Sequence, residues 1–423
     1  MASSFSLHST KKMDNQITIK EYSNGIRHIH RKVQNTKIVH CAIMFDIGGR
    51  DEKENETGLA HMWEHMAFKG TTKRTAYQIL SYLDALGGEL NAFTTKEKIC
   101  FHASVLDVHF HKASDLLVDI SFHSTFPEKE LEKEKKVILE EISMYLDSAD
   151  DAIQDDFEGL IFPNHPMGKN LLGTAETILS FSPQHFFDFI NLKMATNRIV
   201  FASVGTMDAT KAMEVVRKKL QAIPKKEIPL HRSAVLAPKP ARNTVEKPIQ
   251  QAHFMIGNHA PSIHHRDKYS LMLLNNILGG PASNSILYLA LREKYGYVYS
   301  LESNYNAFTD TGVVQIYFAT EKRQIEKCLS VIEKEMRKVD NLLTKKAKLE
   351  AYKEQIKGQL AMSEENNQAY ALMMARSLLD LGQVEDIETI FREVDQTTAE
   401  KLIDLRRLYF DLEKMTSLSF VPN

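Results

Sequence analysis

Five prolines fall between residues 223 and 250, Pro224, Pro229, Pro238, Pro240 and Pro248, scattered among mixed charges. Proline fixes φ and carries no amide hydrogen, so neither a helix interior nor a central strand accommodates such a stretch. Residues 223–250 therefore read as an extended linker. The 423-residue chain is too long for one ordinary core, and the linker divides it into 1–222 and 251–423.

The two parts repeat one order of elements. In the first, alternating apolar residues flank Asn24-Gly25, a hairpin signal. The apolar run Ile38 to Phe45 predicts a buried strand, and helical spacing follows over 58–68 and 76–86. Strands are predicted at 90–94 and 99–105, helices at 108–122 and 129–146, then a strand at 199–204 and a helix at 209–220. In the second part, strand 252–257, helices 269–278 and 285–292, and strands 299–305 and 313–319 precede helices to the end. Gly87-Gly88 and Gly279-Gly280 punctuate the two parts at corresponding places. The fold class is α+β: two topologically similar domains, each a mostly antiparallel sheet packed with helices.

Charge narrows the function classes. Lys and Arg number 53 against 55 Asp and Glu, so no strong field draws the chain to nucleic acid or an anionic membrane surface. No apolar stretch approaches the roughly 18 residues of a membrane span. Cys41, Cys100 and Cys328 lie far apart with no Cys-x-x-Cys pair, which argues against a disulfide framework and for a reducing compartment. Met1 to Gln16 lacks the apolar core of a secretory signal, so a cytoplasmic location is expected, with an organellar matrix as the alternative because the segment is Ser-rich and basic as organellar presequences are.

The most informative stretch runs from Gly58 to Thr71. Apart from His61, Glu64 and His65, every side chain from Leu59 to Phe68 is apolar, which predicts a buried helix. Asn55 or Thr57 can cap its start and Gly70 can end it. Three polar groups inside such a helix are costly unless something satisfies them. His61 and His65, four apart, project from one face and can share a cation, while Glu64 at the edge of that face can hold a water beside it. Two core histidines bonded to backbone would be the alternative. His-x-x-Glu-His is the inverted zinc-peptidase signature.

Catalytic zinc takes three protein ligands and leaves a position for water. On the predicted helix around Glu130–Leu146, the residues Leu131, Glu134, Ile138, Glu141, Ile142 and Tyr145 share one face, while Glu132, Lys133, Lys136 and Glu140 point away. Glu134 and Glu141 thus fall on an apolar stripe, where an isolated carboxylate would cost several kcal/mol or become protonated. A cation removes that cost; a mostly solvated helix whose stripe is coincidence would be the alternative.

These residues, with Phe68-Lys69-Gly70-Thr71 and Val137-Ile138-Leu139-Glu140-Glu141-Ile142, resemble the M16 (pitrilysin) metallopeptidases. The resemblance is strongest to the branch that includes the mitochondrial processing peptidase β subunit, and it runs from about Ile17 to Leu412. It implies the LuxS/MPP-like metallohydrolase fold and one Zn2+ per chain, held by His61, His65 and Glu141. It also implies Glu64 as general base and Glu134 as a supporting carboxylate. Gly87 to Thr94 is similar to the family's edge strand, so Asn91, Ala92 and Phe93 are expected to bind peptide substrate as an added strand. Leu291 to Tyr299 resembles the family's arginine and tyrosine segment, here Arg292 and Tyr299. Tyr295 and Pro281 depart from the family pattern, where arginine and a third glycine are usual. The resemblance further implies a closed chamber and a homodimer in which Arg292 and Tyr299 act across chains.

Two other readings compete with a peptidase. One is a non-catalytic peptide-binding subunit, against which all four metal and base positions stand intact. The other is a small-molecule lyase, which needs a cysteine near the metal, and Cys100 is the candidate. His28 with His30, His109 with His111 and His264 with His265 are expected at the surface, and Lys345 to Lys348 as a solvated charge run.

Overall fold

A computed structural model describes residues 12–13, 17–236 and 239–423. Of the residues considered above, Pro238 and, but for Lys12 and Met13, the segment read for a secretory signal lie outside them.

The first sheet contains β1 (Lys12–Met13), β2 (Ile17–Glu21), β3 (Arg27–Lys32), β4 (Ile38–Phe45), β5 (Glu89–Thr94), β6 (Ile99–Leu106) and β7 (Ile199–Gly205), in the order β1-β2-β3-β7-β4-β6-β5. The second contains β8 (Arg242–Lys247), β9 (Ala252–Ala260), β10 (Val298–Ala307), β11 (Gly312–Thr320) and β12 (Thr416–Pro422), in the order β10-β11-β9-β12-β8. Read from the edge, β5-β6-β4-β7-β3 matches β10-β11-β9-β12-β8 strand for strand. In both, the single parallel pairing joins the last two strands and the others are antiparallel. The α+β reading with two like topologies holds.

The compact units are not the contiguous parts 1–222 and 251–423. One unit takes residues up to Glu140, then Leu171–Arg232 and Ser363–Val384; the other takes Glu141–Asn170, Ser233–Met362 and Glu385–Asn423. Each sheet has an apolar face that its own part of the chain leaves bare, and a helix from the other part covers it. Helix Asn367–Leu381 lays Tyr370, Met374 and Leu378 on Met44, Val200 and Ala202 of the first sheet. Helix Ala149–Ile161 lays Ile153 and Phe157 on Met255, Leu418 and Phe420 of the second.

Further differences are local. β8 lies inside the stretch read as linker, as an exposed outer strand, and the chain ends in strand β12 rather than in a helix. His28 and His30, expected at the surface, are fully buried. They share the Ser203 hydroxyl at 3.0 and 2.8 Å, and Tyr22 and the Met207 carbonyl satisfy their other nitrogens. Hydrogen-bonded this way, neutral imidazoles are tolerated in a sheet core. All three cysteines are buried free thiols. No helix among the described residues is long and apolar enough to cross a membrane.

Candidate metal centre

Helix Leu59–Ala67 has nine residues, too few to persist alone in water, so packing must hold it. Leu59, Ala60, Met62, Trp63, Met66 and Ala67 are fully buried, with the Trp63 ring 5.5 Å from Phe45 and 6.2 Å from Phe101. Each large side chain contributes on the order of 2 kcal/mol. This packing fixes the rotation of the helix and leaves His61, Glu64 and His65 on the other face.

The helix start differs from the expectation. Its N-cap is Gly58 at φ +94°, which has no side chain to offer. The Thr57 hydroxyl turns back to the Glu54 carbonyl. Glu52 does the capping: its two oxygens accept from the Gly58 amide at 3.0 Å and the Ala60 amide at 2.7 Å. Burial pushes the Glu52 carboxyl up to about 8 against the pull of both amides; with a hydrogen aimed at each oxygen, the ionised form is the one this geometry satisfies. Gly70, expected to end the helix, adopts φ +146° two residues beyond the cap at Phe68.

The imidazole rings of His61 and His65 lie 4.6 Å apart. Helix Glu128–Asp147 is continuous and carries both acidic candidates. Its stripe is buried through Leu131, Glu134 and Ile138, but Glu141 and Ile142 are only half-buried and Tyr145 is exposed. Seven residues, about 10 Å of helix rise, separate Glu134 from Glu141, and the latter reaches the histidines. One ligand atom each from His61, His65 and Glu141 lies within 4.8 Å of the others. Zinc–ligand distances are about 2.0–2.2 Å, so small side-chain rotations bring this set onto one ion, and two imidazoles with a carboxylate are the donors zinc takes. Burial, with His65 nearby, lowers the His61 pKa to about 3, which keeps the ring neutral and the lone pair of one nitrogen available.

Glu134 approaches the other histidine, His65, from behind. One of its oxygens lies 3.2 Å from His65 Nδ1 and the other 2.6 Å from Lys69 Nζ. Burial pushes this carboxyl up, but the bonds from His65 and Lys69 prevail and hold it below the usual range. An ionised carboxylate only accepts, so His65 carries its proton on Nδ1 and turns Nε2 toward the metal position. Lys69 lies just past the end of the histidine helix and its partner is on another helix, so no local spacing in the sequence points to this contact.

Glu64 accepts a hydrogen bond from the Thr94 hydroxyl at 2.6 Å. Thr94 ends β5, the outermost strand of its sheet, paired only with β6. Asn91 on this strand is exposed, Ala92 and Phe93 are half-buried, and the Ala92 amide donates to the Asn91 side-chain oxygen at 2.8 Å. An open edge thus runs up to the carboxylate beside the metal ligands. Cys100 is fully buried, and burial together with Glu64 pushes its thiol well above the ordinary value.

In the second unit Arg292 and Tyr299 meet, the guanidinium 5.5 Å from the phenol ring centre. Arg292 sits in a π-helical turn, Leu289–Lys294, and donates to the Tyr288 hydroxyl at 2.7 Å. Tyr299 stands at a β-bulge between Val298 and Ser300 and is 75% exposed. Both irregularities aim side chains that regular geometry would place elsewhere.

Two like sheets with an inverted His-x-x-Glu-His helix packed against the first define a metallopeptidase class. Residues 28–175 match the Insulinase (Peptidase family M16) model and residues 180–356 the Peptidase M16 inactive domain model. The chain belongs to peptidase family M16. It is 33% identical to the uncharacterized zinc protease YmxG of Bacillus subtilis, over 93% of this chain and 96% of that one. It is 29% identical to the uncharacterized zinc protease ML0855 of Mycobacterium leprae, over 89% and 86%. A protease from Helicobacter pylori has the same fold, with TM-score 0.90 at 19% identity over 96% of this chain and 99% of that one.

Proposed function

We propose that the protein is a zinc metalloendopeptidase that hydrolyses peptides and unfolded oligopeptides. The observation carrying this reading is the convergence of His61, His65 and Glu141, with Glu64 on the same helix tied to an open strand edge. Zinc, when bound, supplies Lewis acidity toward water and the scissile carbonyl. Glu64 takes the proton of the attacking water on its carboxylate as the water oxygen bonds the carbonyl carbon. It returns that proton to the leaving amine as the C–N bond breaks. Thr94 holds Glu64 in place, and Glu134 and Lys69 hold His65. The edge of β5 at Asn91, Ala92 and Phe93 offers backbone partners to an extended peptide with little regard to its sequence.

Arg292 and Tyr299 assist from a second copy of the chain, Tyr299 donating to the oxyanion, in a cytoplasmic homodimer whose two chambers are composed across chains. The exposure of Tyr299 at its bulge supports a role outside its own unit's core. Cleavage of a fluorogenic peptide, lost with a chelator and restored by one zinc per chain, tests the reaction. Absence of cleavage by the zinc-loaded protein would refute it, and full activity from a sedimenting monomer would refute the composite site.

A further inference from the structure

Glu52 takes no part in the reaction just described, yet it is buried against the start of the helix that carries the reacting residues. We infer that Glu52 is a positioning residue: its carboxylate ties helix Leu59–Ala67 to the end of β5 and so sets His61, Glu64 and His65 in register with the substrate edge. This rests on the metallopeptidase reading above.

The tie can be followed atom by atom. At one end, Glu52 accepts from the amides of Gly58 and Ala60, two residues apart, so both the height and the rotation of the first turn are fixed. A one-residue slip would turn the histidines by about 100° around the axis. At the other end, the loop carrying Glu52 is bonded to the residues that follow β5. The Gly49 amide donates to the Thr95 carbonyl at 3.1 Å and the Arg50 amide to the Lys96 carbonyl at 2.7 Å. The approach is so close that a Cβ on Gly48 would lie 2.3 Å from the Thr95 oxygen. Thr95 directly follows Thr94, whose hydroxyl holds Glu64. Glu52 therefore closes a ring: metal helix, Glu64, Thr94, Thr95, Gly49, Glu52 and back to the helix. The base and the edge it serves share one frame: the helix's own N-cap is a glycine with no side chain to offer, and Glu52 supplies the second tie beside the Glu64–Thr94 bond.

The test is Glu52→Gln in the full-length, zinc-loaded protein. Glutamine keeps the shape but turns a donor toward one of the two amides. Zinc affinity is read by competition with a chromogenic chelator, kcat and KM on a fluorogenic peptide, and folding by circular dichroism. Zinc affinity and kcat per bound zinc are expected to fall about 10–100-fold, the range for residues supporting metal ligands, with KM little changed. Glu52→Asp, which keeps the charge but withdraws it by one methylene, should show the same split. A purely structural role would lower the folded fraction while leaving kcat per bound zinc at the wild-type value, and that result overturns the inference. So would failure of both variants to fold. Wild-type protein that bound no zinc or cleaved nothing would instead sink the peptidase reading itself.

Discussion

Replacing Arg232 with methionine should destabilise the first unit by about 3 kcal/mol, as follows from what the guanidinium holds together. Its side chain is 6% exposed and meets both oxygens of Asp51, at 3.0 and 2.8 Å, and Asp46 at 3.1 Å. Removing one partner of a buried ion pair costs about 3–5 kcal/mol, because a charge is left in a poor solvent. Here each carboxylate keeps another partner: Asp51 the Gly48 amide at 3.0 Å, and Asp46 the Lys98 ammonium at 2.9 Å. The lower end of the range applies. For a unit of this size, each kcal/mol moves Tm by about 2–4 °C, so scanning calorimetry should show a loss of about 6–12 °C. Arg232→Lys, which retains the charge but not the fork, should recover part of it. The pH dependence has a definite sign. Burial pushes Asp46 up, but Lys98 and Arg232 prevail and hold its pKa below the ordinary 3.8. Its stabilising charge is therefore present above that value and lost as pH falls through the lower folded one. The gap between wild type and variant should narrow in that acid range. A Tm loss under about 2 °C at pH 7 would refute the reasoning.

Glu64→Gln should bind zinc as wild type does and lose at least about a hundredfold in kcat, checked by metal analysis beside peptide turnover; undiminished turnover would remove Glu64 from the mechanism. Lys69→Met leaves Glu134 with His65 alone, and zinc affinity should fall about tenfold in a chelator competition. Tyr299→Phe should lower kcat by about a hundredfold if its hydroxyl meets the oxyanion, with zinc content unchanged; equal kcat would dismiss it. Burial lowers the pKa values of His28 and His30 below 6.5. The stability of their neutral forms is thus present above 6.5 and lost as pH falls below it. Imidazole NMR signals from both rings that titrate near 6.5 in the folded protein would contradict this.

The metal-site candidates were legible because helix periodicity is local: His61, Glu64 and His65 need only one helix, while the stripe of a second brought out Glu134 and Glu141 alike and the family resemblance chose Glu141 as the ligand. Most of the first sheet was legible from local signals too: β4, β6 and β7 are short, largely apolar runs, and β2 and β3 flank the Asn24-Gly25 turn. What sequence hid is what depends on distant pairing. Glu52 sits in a loop with no periodic signal, and its partners are backbone amides that any residue could supply. His28 and His30 alternate as an exposed face would, and the partners that make that face core are distant in sequence: Ser203 lies 173 residues from His30 and Met207 177. The interleaving of the two compact units along the chain was hidden because a helix's apolar stripe shows that it is covered, not by which sheet.

The exchange of helices between the two parts of the chain also has a consequence for biosynthesis. During translation the first sheet emerges long before Ser363–Val384, which must cover it. At about 5–20 residues per second, the nascent chain holds Met44, Val200 and Ala202 without their lid for many seconds. The sheet beneath the metal helix is thus completed only when most of the protein has left the ribosome, which delays a fully formed hydrolytic centre until the polypeptide that bears it is nearly finished.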